Sequence, residues 1–383
     1  MKPLLLLFSA LLVTISIFTC SAFAADKAMF STKPTLNHGE KWRIGYYEGG
    51  EYYDYKGWFI ATIKGLMENG WIEKATIPVD KGEYTTGVWN WLTTKMKSDY
   101  INFVKDARYS ARWDDTLRAV MTNDIINRLN TKKDIDLMLA FGTWAGKDLA
   151  NNRHSTPTLV LSASDAIGAG IIKSNEDSGF NHIHAHVDPS LYKRQILIFH
   201  DVIKFKKLGV AFENTVNGKS YAAIETINKI SNQKGFDVVP CYTQSDIANQ
   251  KEAGESVLKC MQKLSTQVDA IYVTQQGGVN SETISQIVEI ANANRIPTFS
   301  QAGSQEVKQG LFMSISNSGF KYVGQFHAGL IAKIFNGAKP RQLEQIFEGP
   351  PKVAINLKTA QLIGFDPPMV LLGAADELYR EYK

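Results

Sequence analysis

The sequence predicts an α/β protein made of two doubly wound, parallel-sheet lobes. Three observations lead there. Short apolar runs alternate with amphipathic stretches whose apolar residues recur at spacings of three and four. That alternation runs through the chain twice. And 383 residues, 44% hydrophobic and 21% charged, exceed one ordinary domain while supplying apolar side chains for two cores. A chain that alternates strand and helix crosses over between strands, so neighbouring strands come out parallel and helices cover both sheet faces.

The elements follow in order. Lys2 precedes the apolar run Leu4 to Phe18, and Ala22-Phe23-Ala24 supplies the small-x-small pattern that signal peptidase accepts. The run is short for a membrane span and gives way to polar residues. Residues 1–24 therefore read as a cleaved signal peptide, 25–40 as a polar leader, and the mature chain as an exported, periplasmic or extracytoplasmic protein. Lipid anchoring through Cys20 is the lesser alternative, because Phe18-Thr19 stand where a small residue is needed. Strands are expected at Trp42–Tyr46, Ala75–Val79, Ile135–Phe141, Thr158–Ser162 and His182–Val187. A second series is expected at Leu208–Phe212, Phe236–Cys241, Ala270–Thr274, Thr298–Ser300, Leu311–Ile315 and Val353–Leu357. Helical spacing marks Trp58–Glu68, Thr116–Leu129, Ser220–Ile230, Ala253–Leu264, Ser281–Ala293 and Tyr322–Phe335. Residues Glu83 to Asp115 break the alternation, with Trp89, Trp91, Trp113, Tyr84, Tyr100 and Tyr109 set among charges. This stretch reads as a helical excursion packed on its own aromatics, with a lid or partner surface as the alternative.

Open parallel sheets bind ligands beyond the carboxyl ends of their strands, where loops converge and helix N-termini present free N–H groups. Small and polar residues gather at several such ends here: Gly142-Thr143, then Ser162, Ser164 and Asp165, then Asn214 and Ser220, then Gln275 and Gln276. The stretch YYEGGEYYDY at 46–55 is the first of the series, so its tyrosines and carboxylates are expected at the mouth of the crevice. Phenol faces supply apolar area at low entropic cost and hydroxyls fix orientation, a combination suited to recognition.

Signals for chemistry are sparse. The chain has no phosphate-binding G-x-x-x-x-G-K-[ST] loop and no G-x-S-x-G elbow, and AIGAGIIK lacks a dinucleotide fingerprint. Glu48, Glu51 and Asp54 have the chemistry of general acids and bases, but nothing pairs them with a nucleophile. His182, His184 and His186 alternate along one strand face, spread over roughly 13 Å at the rise of a strand, too far for one tetrahedral ion. No metal and no cofactor are expected. The formal net charge of +4 is too small and dispersed to suggest nucleic acid. Cys241 and Cys260 remain after leader removal, and an oxidising compartment allows them to pair; two buried thiols are the alternative.

The C-terminal third carries a resemblance. IPTFSQAGSQEVKQGLFMSIS, YVGQFHAGLIAKIFNGAKP and KVAINLKTAQLIGFDPPMVLLGAADEL, together with GTWAGKDLANNRHSTPTLVLSASDAIGAGII and KKLGVAFENTVNGKS upstream, resemble ABC-transporter substrate-binding proteins of the branch that includes tryptophan- and tyrosine-binding members. The likeness covers most of Lys41 to Lys383. It departs at Ala166, where the family has proline, and in the first loop, where the Tyr and Glu cluster replaces histidine and proline.

The resemblance implies a type I periplasmic-binding fold with about three hinge crossings: lobe I at 41–205 with 309–337 returning to it, and lobe II at 206–308 with much of 338–383. It implies that Thr143 and Trp144 at a helix N-terminus, with Ser162 and Ser164, meet an anionic ligand group, and that Asp165 is a further ligand-binding residue. Asn214, Gln275 and Gln276 would complete the polar shell from the other lobe. Tyr47, Glu48 and Tyr52 would be particular to this chain, Glu48 pairing with a ligand ammonium under a tyrosine ring. The implied role is capture of a small polar solute, an amino acid or related compound, by a monomer that delivers it to an ABC permease. A periplasmic sensor feeding a membrane kinase or chemoreceptor is the alternative, and an exported enzyme a weaker one.

Overall fold

The computed structural model describes residues 30–78, 85–317 and 320–382, so the expected signal peptide and Cys20 lie outside the described residues. The first sheet comprises β1 (Trp42–Glu48), β2 (Ile101–Ser110), β3 (Leu137–Phe141), β4 (Thr158–Leu161) and β5 (Ile183–Ala185). Its helices are α1 (Tyr53–Glu68), α2 (Thr85–Thr94), α3 (Asp115–Thr131) and α4 (Gly142–Leu149). The second sheet comprises β6 (Lys207–Phe212), β7 (Asp237–Tyr242), β8 (Ala270–Val273), β9 (Thr298–Ser300), β10 (Met313–Asn317), β11 (Pro351–Asn356) and β12 (Glu377–Tyr379). The remaining helices are α5 (Leu191–Ile203), α6 (Val216–Tyr221), α7 (Ile224–Lys234), α8 (Gln250–Leu264), α9 (Ile284–Ala293), α10 (Ser304–Lys308), α11 (Phe320–Phe335), α12 (Leu357–Ile363) and α13 (Met369–Ala374).

The five strands run in the order β2-β1-β3-β4-β5, all parallel. The seven run β12-β11-β10-β9-β8-β6-β7, parallel except for the antiparallel pair β10–β11. Each sheet reverses its winding once near its start, between β1 and β3 and between β6 and β8. Loops diverge at such a reversal and leave a crevice. These two points supply most of the site described below.

Several expectations need correction. Ala75 to Pro78 is irregular rather than a strand, and Val79 lies outside the described residues. The expected excursion at 83–115 holds α2 and an edge strand, β2, which pairs with β1 through a register shift between Ile44 and Tyr46. Its burial alternation fades at Lys105-Asp106, which hides the strand from a pattern reading. The single helix expected over Ser220–Ile230 is two, broken at Ala223 with φ 54°.

α5 buries Ile196 and Phe199 in the second core. β10 belongs to the second sheet, so of 309–337 it is α11 that packs on the first core, through Leu330, Ile331 and Phe335. Helices α1 and α11 meet very closely: a Cβ on Gly65 would stand 2.6 Å from the Gly324 carbonyl oxygen. Cys241 on β7 and Cys260 on α8 form a disulfide, with Cα atoms 5.6 Å apart.

Candidate functional site

Residues 46–48 end β1, and strand alternation sends their side chains to opposite faces. Tyr46 and Glu48 point into the core shared with α1 and α2. Glu48 is fully buried: it receives Tyr46 Oη at 2.6 Å, Thr85 Oγ1 at 3.0 Å and Arg108 Nη2 at 2.8 Å. Burial pushes its carboxyl up from the ordinary value, while Arg108 and the hydroxyls pull it back. This is a correction to the expected ligand role. Glu48 has its cation already, from the edge strand that the sequence concealed. Tyr47 is corrected too: it lies on the other face, wholly buried, and donates to Asp148 Oδ2 at 2.7 Å. Asp148 in turn holds Arg118 at 2.8 Å, and the Arg118 guanidinium lies 4.3 Å over the Trp144 ring. Tyr47 therefore supports a wall of the crevice without reaching it.

The adjacent glycines of YYEGGEYYDY make room for indoles. A Cβ on Gly49 would stand 2.6 Å from Trp144 Cβ and 3.2 Å from Trp113, and one on Gly50 would run into the Trp113 ring. Trp113 is delivered by Arg112 and itself in left-handed conformations, φ 53° and 58°, costly for such residues. Its backbone N–H donates to Gly49 O at 2.9 Å and its Nε1 to Glu51 O at 3.1 Å. The two indoles meet edge to face at 5.3 Å.

Two neighbouring cavities open between the sheets. The smaller, about 50 Å³, is lined by Thr143 and Trp144 at the start of α4, by Ser162 and Ser164 after β4, and by Gln275 and Gln276 after β8. Tyr52 and Trp113 close it from the β1 side, and Asn217 and Asp246 from the second sheet. Ser162 itself takes φ 57°, a strained conformation at the wall of a site. The larger cavity, about 440 Å³, shares Ser162, Ser164 and Gln275 and extends toward Asp54, Trp58 and Glu306.

Two further expectations are displaced. Asn214 is exposed and lines neither cavity; Asn217 on α6 stands there, its Oδ1 accepting from Lys147 Nζ at 3.0 Å. Asp165 does not line them either; its carboxylate accepts the Gly168 N–H at 2.8 Å and its carbonyl accepts Ser220 Oγ at 3.0 Å, joining the two halves. Gln276 touches the smaller cavity, yet its amide is fully engaged. Its Oε1 accepts from Thr243 and Ser245, and its Nε2 donates to Ala211 O and Thr274 Oγ1.

Sequence reasoning missed Trp58, Tyr192, Gln301, Glu306 and Phe320, and treated Asp54 only as an unsupported acid. Trp58 and Phe320 carried no polar signal, and Glu306 sits mid-chain in a short helix that nothing marks as a crevice wall. Burial and the nearby Glu306 carboxylate push Asp54 up to about 8, partly offset by Gln275 Nε2 at 3.2 Å. Burial and Glu213 likewise push Asp246 up to about 7.

The three alternating histidines do not converge on an ion. His184 Nε2 faces Glu344 O at 2.7 Å, His186 Nε2 faces Phe347 O at 3.3 Å, and His182 packs edge-on to His154. Burial holds His186 near 4, so it is neutral. Among the described residues no cluster of three or more His, Cys, Asp or Glu has the arrangement to hold a metal, and no helix is long and apolar enough to cross a membrane.

Comparison with known proteins agrees with this geometry. The chain resembles a solved ABC domain from Streptococcus pneumonia in complex with L-Trp, with TM-score 0.65, 18% identity, and 88% and 99% of the two chains covered. It also resembles a ligand-free, open substrate binding protein with adhesive properties from Clostridium difficile, with TM-score 0.58, 19% identity, and 88% and 99% covered. These likenesses show the fold, the type I periplasmic-binding arrangement of two α/β units. A tyrosine-binding protein of Clostridioides difficile strain R20291 is 25% identical over 170 residues, 44% of this chain. The match spans about half, 46%, of that relative's length. A family model for ABC transporter substrate binding proteins matches residues 108–378. With 271 residues of the chain inside that match, this protein belongs to the ABC transporter substrate-binding protein family, whose work is binding rather than catalysis.

Proposed function

We propose that this protein captures a small polar solute, an amino acid or related compound, between its two halves outside the cytoplasmic membrane and delivers it to an ABC permease. The observation that carries the reading is the cavity of about 440 Å³ walled by both sheets: Asp54, Trp58 and Ser164 from the first, Gln275, Gln301 and Glu306 from the second. That is ample room for a small molecule. A solute touching both walls favours the state in which they approach, so binding and closure are one population shift. The start of α4 supports an anionic group near Thr143, because no side chain caps this helix and Thr143 and Trp144 in its first turn line the smaller cavity. The relatives that bind tryptophan or tyrosine make amino acids the first class to test.

The packing supports lobes of 41–188 with 320–350, and 189–317 with 351–382, hinged near Asp188, Asn317 and Pro350. Thermal unfolding followed against amino acids, amines, nucleosides and sugars tests the reading. At least one compound should raise the midpoint in a saturable way, since a ligand that binds only folded protein stabilises it by mass action. A panel that moves nothing would remove the receptor reading.

A further inference from the structure

The larger cavity is lined by acids and by aromatic rings. Its ionisable lining is Asp54, Asp188, Glu306, Lys352 and His186. Asp188 is paired with Arg194 at 3.2 Å, and Lys352 with Glu377 at 2.7 Å. His186 is neutral and turned to a backbone carbonyl. Glu306 accepts from Ser300 Oγ at 2.6 Å. Asp54 is different: its partner among the described residues is the neutral amide of Gln275, 3.2 Å away, and no cation pairs with it. A second acid, Glu306, stands near enough to act on it electrostatically. The surrounding walls are aromatic, with Trp58 and Phe320 meeting edge to face at 6.1 Å and Tyr192 half-buried in the lining.

A carboxylate beside aromatic faces, in a cavity of this size, is the chemistry that recognises an ammonium ion. The acid supplies charge and a strong hydrogen bond, and the ring faces supply cation–π attraction. A neutral or anionic group gains neither. We propose that the larger cavity receives a protonated amine of the solute, with Asp54 as its counter-ion and Trp58 and Phe320 as its walls. The inference rests on the receptor reading and narrows it to solutes carrying a cationic end. It also moves ammonium recognition from Glu48, which Arg108 satisfies, to Asp54, which no cation among the described residues does.

Calorimetric titration of the full mature chain with matched compounds tests this. The amines are tyramine, tryptamine, agmatine and L-lysine; 4-ethylphenol and 3-ethylindole are the deaminated counterparts of the first two, and uridine and ribose are uncharged controls. At least one amine should bind, its deaminated counterpart at least tenfold more weakly. Asp54→Asn, which keeps the hydrogen bond from Gln275, should lose at least tenfold in amine affinity without a lower unfolding midpoint at pH 6. Three results would overturn the proposal: amine binding unchanged in Asp54→Asn, tighter binding of the deaminated compounds, or binding of uridine or ribose with no amine bound. All three leave the receptor reading standing; failure of every amine here removes this proposal, and failure of the broader thermal panel removes the receptor reading with it.

Discussion

Glu48 and Asp54 lie six residues apart in one tyrosine-rich stretch, and the fold treats them in opposite ways. Glu48 ends a strand and turns into the core, where a guanidinium at 2.8 Å and two hydroxyls complete its coordination. Asp54 opens a helix and faces the cavity, where a single amide and a neighbouring acid meet it. A buried carboxylate that already holds a cation belongs to the structure. One that is half-buried beside a cavity, with no cation paired to it among the described residues, is open to a cation from a ligand. The difference between two acids of similar local sequence is thus made by residues 60 and 221 positions away, Arg108 and Gln275.

The strongest way to break the comparison is to remove the cation from Glu48. Arg108→Leu should cost about 3–5 kcal/mol of stability by leaving a buried carboxylate uncompensated. Chemical denaturation would show it, and a loss below about 1 kcal/mol would mean that Glu48 is not structurally paired. Next, Gly50→Ala should cost about 1–3 kcal/mol, because its methyl group meets the Trp113 ring. If the variant is as stable as the parent, the indole is not seated against this glycine.

A smaller effect sharpens the Asp54 side. Folding raises the Asp54 carboxyl to about 8, so the native state keeps a proton that the unfolded chain releases near pH 4. The stability linked to that proton is complete below about pH 4 and is lost as pH climbs toward about 8. Without ligand, the wild-type midpoint should therefore fall between pH 5 and pH 8 more steeply than that of Asp54→Asn. Part of the slope that remains belongs to Asp246, raised to about 7. Parallel pH profiles for the two proteins would count against a shifted Asp54. A bound amine, by stabilising the ionised carboxylate, should bind more tightly as pH rises over the same window and should release protons on binding. The smallest expected effect is on binding by Glu48→Gln: a dissociation constant within about twofold of wild type, with the change appearing in stability instead. A tenfold weaker affinity at unchanged stability would return Glu48 to the site.

Much of the arrangement was readable before any coordinates. Eleven strands were expected, and ten of those segments overlap strands of the fold. The exception is Ala75–Val79, whose described residues 75–78 are irregular; the place beside β1 is taken by β2. The junction residues Thr143, Trp144, Ser162, Ser164 and Gln275 fall at the crevice because they follow β3, β4 and β8, and strand ends are visible as the place where an apolar run stops. Tyr52 reaches it as well, from the turn before α1. Tyr47 and Glu48 were misplaced for the same local reason that made them attractive: polar residues at a strand end look solvent-directed until a partner from another strand covers them. Asn214 shows the converse, a polar residue at the right junction that the short helix α6 leaves exposed at the rim.

The sequence by itself determined the class of the fold, the two-fold repetition of strand and helix, and which loops converge, because all three follow from short-range periodicity and from where apolar runs end. The tertiary structure alone decided which carboxylate is satisfied, which glycines make room for Trp113 and Trp144, and where the chain crosses between halves. Those outcomes depend on contacts between residues far apart in the chain, and a carboxylate's energy is set by what stands within a few ångströms of it, which no local pattern records.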